Sequence, residues 1–166
     1  KAYATNQKGT SYGAIRTFST IPVTVPAVST KAVPNPTAIS AIGGGDVTYD
    51  GNATVTARGV CWNTTGNPNL QDCLGFTVDG QGIGSFNSSI TGLNPSTDYY
   101  VRAYATNSAG TSYGNQVSFQ TNFAIGQSYG GGIIFYVDAS GQHGLIAATS
   151  NQENSAWGCV GTFLGG

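Results

Sequence analysis

From Tyr99 to Thr106 the chain alternates without a break, with Tyr99, Val101, Ala103 and Ala105 on one side and Tyr100, Arg102, Tyr104 and Thr106 on the other. A period of two over such a run predicts a strand with one face in a core and the other in water. Asn107 to Gly110 is a turn signal, and Thr111 to Thr121 resumes a β-rich run carrying Tyr113, Val117 and Phe119. The stretch Leu93–Thr121 therefore predicts an antiparallel hairpin. The same patterning predicts strands over Val28–Val33, Thr37–Tyr49, Val55–Trp62, Leu74–Val78 and Ser85–Ile90, divided by turn formers such as Asp50–Asn52 and Asp79–Gly82. Gly43, Gly44 and Gly45 interrupt the second of these and predict a bulge or sharp bend, or a flexible break. Short strands with a turn roughly every eight to twelve residues predict an all-β sandwich.

Lys1–Thr20 aligns without a gap on Arg102–Thr121, sharing Ala-Tyr-Ala-Thr-Asn, Gly-Thr-Ser-Tyr-Gly and a closing Phe-x-Thr. A repeat at this spacing, about one sandwich domain, divides the chain. Residues 1–20 read as the final hairpin of a preceding repeat, 21–121 as a complete domain opened by the Pro-punctuated connector Ile21–Pro26, and 122–166 as the β-rich first part of a different module. An isolated hairpin is marginal in water. The apolar face of residues 1–20 thus calls for cover from the rest of its own domain, a neighbouring segment or a second copy of the chain.

Leu93, Pro95, Thr97 and Tyr99 form the spacing Leu-x-Pro-x-Thr-x-Tyr, which resembles the structural corner of fibronectin type III domains, where the tyrosine hydroxyl bonds back to the preceding backbone. Residues of about 24–121, including VTYDGNATVTARGVCWNTTGNPNL and GSFNSSITGLNPSTDYYVRAYATNSAGTSYGNQVSF, resemble the fibronectin type III-like repeats of Bacteroidota surface and secreted proteins. The resemblance implies an Ig-like Greek-key sandwich and a spacer or adhesive stalk in place of a catalyst. Gly-Gly-Ile-Ile-Phe-Tyr, His-Gly-Leu-Ile-Ala-Ala and Trp-Gly-Cys, between Gly131 and Cys159, resemble the opening of a Gly- and Trp-rich C-terminal module related to that of a Legionella collagen-like adhesin.

Composition agrees with an exported β protein: 8% of residues are charged, Gly numbers 25, and the net charge is −1. Six scattered Lys and Arg make no basic stripe, so nucleic acid is not an expected partner. No apolar run reaches the roughly 20 residues that span a bilayer. Of three cysteines, Cys61 and Cys73 flank a short loop, and in an exported protein a disulfide between them is expected from their spacing. Closing such a loop is worth about 3 kcal/mol in the chain-entropy model. Cys73 departs from the repeats the chain resembles, where a polar residue is usual. Cys159 is left over, either as a buried thiol or bonded to another chain or, as the favoured reading, to a partner beyond Gly166. One His and no Cys-x-x-Cys pair argue against zinc.

The search for chemistry gives little. Asp138, Ser140, Ser150 and the single His143 lie close in sequence, but a turn entering a strand accounts for them, and no catalytic residue is assigned. Glu153 with an Asp would be a glycosidase pair only at a spacing the chain does not have. Asp46, Asp50 and Asn52 offer oxygens to calcium, yet they are turn formers first, so no cofactor is expected. Gly130–Gly132 reads as close strand packing or a bulge, not a phosphate loop. Asn52, Asn63 and Asn87 stand in sequons that so Asn- and Thr-rich a chain produces by accident. Tyr100, Arg102 and Tyr104, with Tyr3 and Lys1 in the first repeat, are predicted on the outward face, either as a surface for glycans or proteins or as cross-strand pairs stabilising an exposed sheet. Trp62 and Trp157 are assigned to core.

The sequence thus predicts a non-catalytic extracellular or cell-surface module whose partners are neighbouring domains, other copies of itself, or surface glycans or proteins. Two alternatives stand beside the spacer: a subunit of a filament assembled by strand donation between chains, and a carbohydrate-binding module.

Overall fold

In the computed structural model, residues 1–149 are described; Ser150, Glu153, Trp157 and Cys159 lie outside them. Every regular element among the described residues is a strand. Two sheets form the central sandwich. One orders β3 (Ala27–Thr30), β4 (Ser40–Tyr49) and β7 (Gly84–Thr91); the other orders β10 (Val117–Gln120), β8 (Asp98–Asn107), β5 (Ala57–Asn63) and β6 (Gly75–Phe76), with β9 (Gly110–Tyr113) also on β8. All pairings are antiparallel, and the chain crosses between sheets from β4 to β5, β6 to β7 and β7 to β8. That is the Greek-key order of the fibronectin type III-like sandwich.

The core between the sheets follows from the alternation. Val60 and Trp62 of β5, Tyr99, Val101, Ala103 and Ala105 of β8, and Phe119 of β10 meet Ala41 and Val47 of β4 and Phe86 and Ile90 of β7. Stacking of Tyr99 on Phe119, with ring centroids 5.8 Å apart, fills one end.

The three glycines of β4 act otherwise than the sequence predicts. The register of β4 on β7 runs unbroken from Ser40 to Val47, so Gly43–Gly45 make neither bulge nor break there. The reason is space: a Cβ on Gly45 would stand 2.6 Å from Ala103 Cβ, 2.8 Å from Ser29 O and 2.9 Å from Phe86 Cζ. Bare backbone lets the sheets approach. The expected run Thr111–Thr121 is also divided, into β9 and β10. At Gly114 the chain passes against Thr30, where a Cβ would come within 2.6 Å of its Oγ1, and Asn115 Oδ1 accepts the Thr30 amide at 3.1 Å.

Residues 1–20 supply one hairpin, β1 (Tyr3–Asn6) and β2 (Gly9–Tyr12), exposed throughout. Its internal contacts reproduce those of β8–β9. Thr5 and Thr10 Oγ1 are 2.8 Å apart, as are Thr106 and Thr111; Gly13 N donates to Ala2 O at 2.9 Å and Gly114 N to Ala103 O at 2.8 Å. Lys1 lies over the Tyr12 ring as Arg102 lies over Tyr113. The hairpin is encoded locally, whereas the burial of its twin comes from the sandwich.

After the sandwich, β11 (Ser128–Tyr129), β12 (Gly132–Val137) and β13 (Gly144–Ala148) form a separate meander, with a register shift between Ile134 and Tyr136. Gly130 and Gly131 have positive φ in the turn into β12, and Gly132 lies close under Ala147.

Candidate functional site

The corner residues come together at the entry to β8. The Tyr99 hydroxyl accepts the Asn94 amide at 3.0 Å, Thr97 Oγ1 donates to Pro95 O at 2.9 Å, and Leu93 is buried beside them. Thr121, itself buried, closes the arrangement: its Oγ1 accepts from Thr97 N at 2.9 Å and donates to Asn94 O at 2.6 Å. This corner fixes the end of the sandwich from which the chain leaves toward the meander.

The outer face of the β5–β8–β9 sheet carries the residues foreseen as a contact surface, with one correction. Tyr100 and Arg102 are half-buried, but Tyr104 is 2% exposed. Its cross-strand partner on β5 is Gly59, which has no side chain to hold the ring upright. The Tyr104 ring therefore lies down, and its hydroxyl donates to Thr77 O at 2.6 Å, the same carbonyl that crowds the Cβ position of Gly59. Burial pushes the Tyr104 phenol up to about 12. Tyr3, its counterpart in the first hairpin, meets no such glycine and is 72% exposed.

A loop then folds over this face. Asn63, buried at the end of β5, donates through Nδ2 to Gly66 O at 3.1 Å and Asp72 O at 3.3 Å, and accepts from Gly66 N at 2.9 Å. Leu70 N donates to the Tyr113 hydroxyl at 3.0 Å, while Arg102 lies over the Tyr113 ring and donates through Nε to Gly114 O at 2.8 Å. Arg102 and Tyr104 are thus engaged in intramolecular contacts, while Tyr100 stays half-buried on the same face. Cys61 and Cys73, expected as a disulfide, stand as free thiols. Cys61 is wholly buried on the outer face, with Sγ 3.6 Å from Arg102 O, whereas Cys73 is partly exposed in the loop, so the two thiols sit at different depths.

At the opposite end of β8, Asn107 does what the sequence reading assigned only to a turn. Buried to 5% exposure, it donates through Nδ2 to Thr24 O and to Asp50 O, both at 2.7 Å, and accepts from Ala109 N at 2.9 Å. Thr24 N donates to Gly51 O at 2.9 Å and Asn52 Nδ2 to Pro22 O at 3.0 Å, so the connector Pro22–Pro26 is bonded along the turn at Asp50–Asn52. At the exit, Asn122 serves in a similar way: its amide donates to Thr37 O at 3.1 Å, its carbonyl accepts from Ser96 N at 3.0 Å and its side chain from Gln142 Nε2 at 2.9 Å.

Asp50 and Asn52 are thus occupied in this joint, Asp50 Oδ1 capping Asn52 N at 2.9 Å, and Asp46 sits within β4. Among the described residues no three His, Cys, Asp or Glu side chains gather as a metal site would require. Asp138, Ser140 and His143 do meet, in an order that cannot relay a proton. Ser140 Oγ donates to Asp138 Oδ1 at 2.6 Å, and both Ser140 Oγ (3.2 Å) and Asp138 Oδ2 (3.4 Å) approach the same imidazole atom, Nδ1. A catalytic triad needs its hydroxyl and carboxylate on opposite nitrogens. The Ser140 hydroxyl holds the Asp138 carboxyl below its ordinary range, as a turn cap does.

No protein-family model and no curated protein matches the sequence. Among solved structures, a sensor domain of an anti-sigma factor from Pseudobacteroides cellulosolvens aligns over all its length and 62% of this chain, at 18% identity and a TM-score of 0.45. The fourth fibronectin type III domain of a human protein aligns over all its length and 76% of this chain (20%, TM-score 0.48), and another human fibronectin type III domain over 98% of its own and 69% of this chain (18%, TM-score 0.41). The assignment of fold rests on the strand order, and these likenesses add nothing on function. No helix among the described residues is long and apolar enough to cross a membrane.

Proposed function

We propose that the chain is a non-catalytic spacer in an extracellular or surface protein built from such repeats, holding neighbouring modules at a fixed separation. The observation that carries this is the Asn107 joint. A connector tied into the sandwich by Thr24, Pro22 and Asn107 leaves little slack between the end of one repeat and the first strand of the next. Partners are accordingly the adjoining domains of the same protein, and no cofactor is called for. Small-angle scattering of the chain beside Asn107→Ala tests it. A joint that limits motion gives the variant a broader distance distribution and larger maximum dimension; identical profiles would remove the joint's role.

A second reading is a filament joined by strand donation, favoured by one segment. Arg16–Ser19 aligns with β10, and Phe18 is 89% exposed where Phe119 is 8% exposed. An unpaired segment that matches a core strand in sequence can pair with an open edge on another chain. Fibres in negative-stain images at rising concentration would support it, and monodisperse particles would dismiss it.

A further inference from the structure

We propose that Cys73 and Cys61 form a thiol-modification site, at which Cys73 exchanges with a small-molecule disulfide and Cys61 resolves the adduct into an intramolecular bond that locks the Asn63–Asp72 loop. Two observations place them together. The residues on either side of Cys73 are bonded to the two residues that follow Cys61: Leu74 N donates to Trp62 O at 2.8 Å, and Asp72 O accepts from Asn63 Nδ2 at 3.3 Å. The loop between them lies over the outer face, where Leu70 N reaches the Tyr113 hydroxyl.

Their unequal depth sets the order. Cys73, partly exposed, meets reagent first; its thiolate attacks one sulfur of the small disulfide, the old sulfur–sulfur bond breaks, and one small thiol departs with a proton from solvent. Cys61 then gives up its proton, attacks the Cys73 sulfur and expels the second small thiol. Two protein thiols are oxidised and one small disulfide is reduced to two thiols. The second step is slow, because exchange runs through the thiolate and burial holds Cys61 at about 12. The mixed disulfide on Cys73 accumulates before the loop closes.

The test uses oxidised glutathione on the whole chain, with timed acid quenching, alkylation and peptide mapping. Expected are first a glutathione adduct on Cys73, then its loss with a peptide pair joining Cys61 to Cys73, and a rise of roughly 10 °C in the unfolding midpoint. Cys61→Ala should stop at the Cys73 adduct, and Cys73→Ser should leave Cys61 unmodified in the folded protein. An adduct on Cys73 that never resolves in the unsubstituted chain, first reaction at Cys61, or pairing of either residue with Cys159 would overturn the proposal.

Discussion

The Asn107 carboxamide donates to the Thr24 carbonyl at 2.7 Å, joining the end of β8 to the connector that leads into β3. Because the same group also holds Asp50 O, its removal leaves two acceptors without their partner. Asn107→Ala should cost about 2 kcal/mol, read as a lower urea midpoint with an unchanged slope. Asn6→Ala, at the matching place in the exposed hairpin, where Asn6 caps only Lys8 N, should change the midpoint little.

Tyr99→Phe removes the acceptor of the Asn94 amide while keeping the ring stacked on Phe119. A loss of about 2 kcal/mol is expected from the stranded donor. Tyr12→Phe, on an exposed ring, should stay within about 0.5 kcal/mol of the parent in the same urea titration.

Gly13 and Gly114 occupy matching places in the two repeats, yet their surroundings differ. A Cβ on Gly13 meets nothing nearer than 3.7 Å, while one on Gly114 would stand 2.6 Å from Thr30 Oγ1 and 2.7 Å from Thr30 N. Gly114→Ala should therefore destabilise by about 2 kcal/mol and Gly13→Ala by almost nothing. Thermal unfolding of the two variants side by side decides it.

Alkaline pH should weaken the fold through Tyr104 and Cys61. Burial raises both to about 12 in the folded protein, from ordinary values of 10.0 and 9.0. The folded state thus prefers their neutral forms. Their contribution is fully present below about pH 9 and is lost as pH climbs toward 12, by on the order of 1 kcal/mol per pH unit. Urea midpoints from pH 7 to 12 should hold level and then fall, and the fall should flatten in Tyr104→Phe combined with Cys61→Ala.

Period-two alternation was enough to read most of the strands, because each buries one face and a two-residue pattern admits no slip without exposing it, while their Greek-key order came from the resemblance to fibronectin type III-like repeats. The repeat was equally legible in the ungapped alignment of Lys1–Thr20 on Arg102–Thr121, and the matching Thr5–Thr10 and Thr106–Thr111 contacts follow from it because hairpin contacts are local. Long-range contacts were not. Tyr104 reads as outward until Gly59, on the neighbouring strand, allows its ring to lie flat. Gly43–Gly45 read as an interruption until Ala103 and Phe86 are brought against them from elsewhere in the sandwich. Asn107 reads as a turn former because its acceptors, Thr24 and Asp50, lie 83 and 57 residues away. Spacing alone suggested a bond between Cys61 and Cys73, and could not show that one thiol is buried and the other partly exposed.

Backbone amide relaxation tests the joint most directly. If the connector is held as described, Val23 and Thr24 should give order parameters like those of β4, about 0.85, and Asn107→Ala should lower theirs while leaving β4 unchanged. Values below about 0.6 at Val23 and Thr24 in the unsubstituted chain would contradict a fixed joint, and with it the reading of this module as a spacer of set length.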